Sequence, residues 1–258
     1  MPSYNSKLFN IEPYYDDFDE TKNYHKILFR PGYSVQAREL SQMQSILQNQ
    51  VERFGNHIFK DGSKVYGAES AVQTVNYIRV TTTSAMDSFI GFDVTISATE
   101  DGTSSTVTAK VIHAEDEDAT TSPKSSVLFV QIVKGDIDTL AAGTTLVSSN
   151  ATLENATVVS TGMAKLFSVN DGIFYVDGYF VKSGIQYYPG FSGEANTTTR
   201  EFNSTSWGYP SGVFGFDVAP DYIGSNEDLT LSDPARGTYN HNAPGADRYC
   251  IKLRLTSD

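Results

Sequence analysis

The sequence predicts a mainly β protein: an extended N-terminal arm and one long α-helix, followed by β-sandwich or barrel modules. Three observations carry that reading. From Val35 to Phe59 the good helix formers Gln, Ala, Arg, Glu, Leu and Met recur with no internal proline. From Lys64 the apolar period drops to two, with β-branched and aromatic residues enriched. Glycines and Asx-Gly pairs then punctuate the chain at short intervals, as turns between short strands do.

The arm, residues 1–33, carries Tyr4, Phe9, Tyr14, Tyr15, Phe18, Tyr24 and Phe29 among charges and turn formers. Disordered tails are poor in aromatics, so this segment is expected to pack on something. Pro31-Gly32 turns the chain and Ser34 is the expected N-cap of an amphipathic helix within 34–61. Leu40, Met43, Leu47 and Phe54 fall on a and d of one heptad frame, with Gln50 and His57 at the remaining d positions. Such a helix either lies on its own sheet or packs against copies of itself. Tyr14, Tyr15, Phe18, Leu40, Met43, Leu47 and Phe54 are the expected interface residues, with residues 1–30 reaching over a neighbour.

Beyond the helix, segments 62–85 and 161–190 read as a β body, and 86–160 as an inserted small β module with turn signals at Asp101-Gly102 and Gly135. Within that module "SVLFVQIV" is apolar on both faces, which predicts a central, doubly covered strand. Asn170-Asp171-Gly172 and Asp177-Gly178 mark hairpins. Residues 191–258 form a loop-rich β region closing on a strand from Arg248 to Leu255. Cys250 is expected as a buried strand thiol there, and the chain is expected to continue into a longer polypeptide.

A formal net charge of −12 with 19 Lys and Arg, scattered, argues against nucleic acid as a partner. No run of about 18 apolar residues occurs, so no membrane span is encoded. His25, His57, His113 and His241 lack metal-ligand spacing, and one cysteine cannot build a zinc site, so neither metal nor cofactor is expected. The acidic runs at 16–20 and 115–118 lack the glycine of a calcium loop and read as solvated faces. No nucleophile and base assemble from the sequence, and "GYPSG" misplaces the serine of a nucleophile elbow. An enzyme is not expected.

The stretch from Tyr14 to Phe59, with "GIFYVDGYFV" and "NHNAPGADRYCIKLRL", resembles a family of tailed-bacteriophage virion proteins, common in contractile-tailed phages of cyanobacteria, that open tail baseplate or tail-fibre chains. The resemblance implies a structural part, made in the host cytoplasm and ending in the virion tail. It would assemble the baseplate with other tail proteins and anchor a fibre or spike, as a homotrimer. It brings no catalytic residues. The alternative is a receptor- or glycan-binding tail-fibre module, for which Trp207 and Tyr209, with Phe214 and Phe216, are the candidate ligand aromatics. A tail enzyme degrading polysaccharide is the third reading.

Overall fold

The structure, a computed structural model, describes residues 12, 15–100, 103–115, 125–189 and 213–257, with the side chains of 98–100, 103–105 and 125 left aside. It is mainly β, with a single long helix α1 (Ala37–Ile58). The strands are β1 (Lys64–Gly67), β2 (Ser70–Thr81), β3 (Asp93–Glu100), β4 (Thr103–Glu115), β5 (Ser125–Lys134), β6 (Thr145–Ser148), β7 (Ala156–Val169), β8 (Gly172–Val176), β9 (Tyr179–Ser183), β10 (Gln186–Pro189), β11 (Phe214–Ile223) and β12 (Arg248–Ser257). The chain divides into two compact units: Met1–Glu69 with Asn170–Ile185 and Asp217–Arg254, and Ser70–Val169 with Gln186–Phe216 and Leu255–Asp258.

The second unit is a closed antiparallel barrel. Its strands run β7-β2-β5-β4-β3-β6, and β6 pairs back onto β7, while β10 adds to the far end of β7. Apolar residues alternate along these strands, and one set fills the interior: Ile78, Val80, Val94, Ile96, Val107, Leu128, Val130, Leu146 and Val158. Met86 and Phe89, on a single 3-10 turn between β2 and β3, join that interior with almost no exposure. Val127 and Phe129 point the other way, into a smaller cluster with Tyr77, Ala164 and Leu166. β5 is thus covered on both sides, as its unbroken apolar run requires.

The sequence placed an inserted module at 86–160, between strands of another sheet. Hydrogen bonding draws the boundary differently. β2 and β7 pair from Ser70↔Val169 to Thr81↔Thr157, with one register shift between Arg79 and Val80, and belong to the same ring as β3–β6. β1, β8 and β9 form a separate sheet, in the order β1-β8-β9. The physical reason is that partners more than 70 residues apart leave no mark on strand spacing.

In the first unit, Gly32 takes φ +86° in the expected turn, a conformation glycine adopts without strain. The helix starts later than Ser34 suggests. Gln36 is its N-cap, and the Glu39 carboxylate accepts from the Gln36 backbone N–H at 2.7 Å, satisfying a donor the first turn leaves open. β8 and β9 form the hairpin marked by Asp177-Gly178, whose φ values of +50° and +83° are those a two-residue type I′ turn needs. β11 and β12 form a two-stranded ribbon on which Cys250 is half-buried rather than buried.

Candidate interaction surface on the helix

Two sides of α1 are occupied by its own unit. On the first lies the β8–β9 hairpin. Gln48 donates to the Gly178 carbonyl at 2.9 Å, and the fully buried Tyr175 sets its hydroxyl 3.0 Å from the Glu52 carbonyl and 2.9 Å from Asn56 Oδ1. Its ring packs against Phe180 and Phe59, which closes the base of the helix. Burial, with Glu52 and Asp61 nearby, raises the Tyr175 pKa, so the phenol stays neutral. Gly55 is what lets the helix come this close: a Cβ there would sit 2.3 Å from Tyr175 Cε2.

On the second side lies the arm. Arg38, Gln42, Ser45, Asn49 and Arg53 recur at three- and four-residue spacings and so form one polar stripe. Asp17 meets Arg38 and Gln42, the Asp16 carboxylate accepts from the Ser45 hydroxyl, and Glu20 takes Arg53 at 2.6 Å with Asn49 behind it. Arg53 holds the Glu20 pKa below the ordinary carboxylate range. Three carboxylates of the acidic run read as a solvated face, Asp16, Asp17 and Glu20, therefore form a clasp, while Asp19 caps its own turn at Thr21. Residues 16–20, expected to reach over a neighbour, lie on their own helix. Phe18 is half-buried, Tyr15 is exposed, and Tyr14 falls outside the described residues.

What remains of the helix is an apolar strip. Leu40, Met43, Leu47, Val51, Phe54 and Ile58 are all between 41% and 63% exposed. At 3.6 residues per turn they fall within an arc of about 80°, narrower than the face a helix ordinarily buries on its own core. Only Gln44 and Gln50 flank them closely, and both are exposed. The helix's charged residues are engaged elsewhere: Arg38 and Arg53 in the clasp, Glu39 in the cap, and Glu52 against Gly178.

Exposure also selects the heptad frame. Leu40, Leu47 and Phe54 alternate with Gln44, Val51 and Ile58 at spacings of four and three, whereas Gln50 and His57, the polar d positions of the sequence frame, drop to the margin. Val51 and Ile58 were the residues that frame passed over; the spacing 47-51-54-58 was the signal for them.

Elsewhere among the described residues, several of the groups singled out by the sequence sit in local contacts. No group of three or more His, Cys, Asp or Glu is placed to hold a metal ion there, and no helix is long and apolar enough to cross a membrane. Trp207 and Tyr209 lie outside the described residues. Phe214 stacks on Phe167 of β7 at 4.1 Å and meets Tyr188 edge-on at 5.5 Å, so it covers its own unit's strands. His113 pairs with Glu115 at 2.9 Å beside Phe129, a local contact on β4.

A family described only as a domain of unknown function (DUF4815) matches residues 12–86, a span that takes in the clasp, α1, β1 and β2. No curated protein matches the chain, and no solved structure does.

Proposed function

We propose that this chain is a structural component of a bacteriophage tail, helping to assemble the baseplate and anchoring a fibre or spike through a threefold assembly of its own copies. It acts by being held in place and holding others, without catalysis. The observation that carries this reading is the uncharged apolar strip on a helix already clamped on two other sides. A face so fixed and so free of charge suits a permanent partner better than solvent. The resemblance of the arm, turn and helix to virion tail chains supplies the setting. The acidic, Thr-rich β body suits a particle protein that does not bind nucleic acid.

Density for this chain in a structure of an intact particle tests the proposal. It should appear in the tail, with the N-terminal arm and helix on the baseplate side. Finding the chain only at a distal, cell-facing tip would favour receptor recognition, and its absence from purified particles would end the tail reading.

A further inference from the structure

We infer that the apolar strip of α1 is covered by the same strip of further copies of this chain, with the helices parallel and in register. This deepens the proposed function by naming the partner of that surface. It rests on the reading that the chain works by assembly.

The first argument is charge. A partner helix of different sequence usually announces itself by a complementary row of charges beside the seam. Here the margins carry Gln50 and His57 on one side and Gln48 on the other, and no Lys, Arg, Asp or Glu faces the strip. Two identical faces therefore meet without repulsion and without burying an unpaired charge.

The second is period. Leu40, Gln44, Leu47, Val51, Phe54 and Ile58 keep alternating spacings of four and three along most of the helix, the repeat that holds two helices face to face over their length. The third is area. The strip offers roughly 500 Å² of apolar side chain per copy, which with its margins approaches the roughly 800 Å² per partner of a stable interface.

Orientation follows from Gln44. Antiparallel helices overlapping fully would set Leu40 against Ile58 and Leu47 against Val51, which puts the Gln44 amide opposite the Phe54 ring with no hydrogen-bonding group to meet. In parallel register Gln44 meets Gln44, where amide donors and acceptors satisfy one another, while Phe54 meets Phe54.

The test is disulfide trapping in the full chain, with Cys250→Ser removing the native thiol. Val51→Cys should oxidise to covalently linked chains at least tenfold faster than Lys134→Cys, an exposed control on β5, because a parallel register holds the two thiols at high effective concentration. Leu47→Asp in the same background should abolish that advantage and lower the mass seen by light scattering, with the circular dichroism unchanged. Equal rates for Val51→Cys and Lys134→Cys would overturn self-association. Efficient linking of Leu40→Cys chains to Ile58→Cys chains would overturn the parallel register. A chain located in the tail but not trapped keeps the tail role and removes the threefold assembly from it; a chain trapped but absent from the virion keeps the self-association and removes the tail role.

Discussion

Replacing Gly55 by alanine tests whether the hairpin sets the pose of α1. The added Cβ would lie 2.3 Å from Tyr175 Cε2, 2.5 Å from Cζ and 2.7 Å from the hydroxyl oxygen, far inside van der Waals contact. Tyr175 has little room to retreat, because it is fully buried with Phe59 and Phe180 against its ring. Overpacking of this kind costs about 1–3 kcal/mol. Pulling the phenol away from the Glu52 carbonyl and Asn56 adds about 1 kcal/mol for the hydrogen bond lost. Against this, alanine gains about 1 kcal/mol over glycine in a helix interior. The balance is a loss of about 2 kcal/mol. With a urea dependence of roughly 2 kcal/mol/M, the midpoint of helix loss, followed by circular dichroism, should fall by roughly 1 M. Gly184→Ala is the control, since nothing lies within 4 Å of its added Cβ and its φ is not positive. A Gly55→Ala midpoint equal to or above wild type would mean that helix propensity wins, and that the Tyr175 contact does not fix the helix.

Two further outcomes are expected. Glu20 is held below its ordinary pKa by Arg53, so its contribution to the clasp is fully present above that ordinary value and is lost as the pH falls through the lower folded value. An NMR titration of the Glu20 carboxyl should show a midpoint that rises toward the ordinary value in Arg53→Ala, and an unmoved midpoint would remove Arg53 as the main cause. The purified protein, incubated with host envelope polysaccharide or peptidoglycan, should release no new reducing ends; reproducible cleavage abolished by changing one carboxylate would make it an enzyme.

The parts of the fold legible in the sequence are those that local physics dictates. The β8–β9 turn was readable because Asp177-Gly178 tolerates two consecutive positive φ values, and β5 because only a strand covered on both sides stays apolar at consecutive positions. Closure of the ring was not. The pairing of β3 with β6 and of β2 with β7 depends on which distant edges meet, and no spacing in the sequence records that. On the helix, Ile46 and Leu47 are equally apolar letters, yet Ile46 is buried and Leu47 faces out. The sequence shows how many apolar positions there are; only the placement of the hairpin and arm shows which are left over. The carboxylates at 16–20 escaped for the same reason, since a solvated acidic run and a clasp have one composition.

Ring closure also bears on how such a chain tolerates crowding. A particle that holds several copies side by side keeps them at a local concentration where any exposed strand edge is a template for its neighbour's backbone, and Thr-rich strands as long as β4 and β7 would be ready recruits. In the barrel those strands direct their hydrogen bonds around the ring, with β6 meeting β7 at one end and β10 meeting it at the other. For an assembly of copies as proposed, these strands would leave cohesion to side chains, which mutation can adjust one at a time. Backbone pairing, indifferent to sequence and hard to undo, would offer no such control.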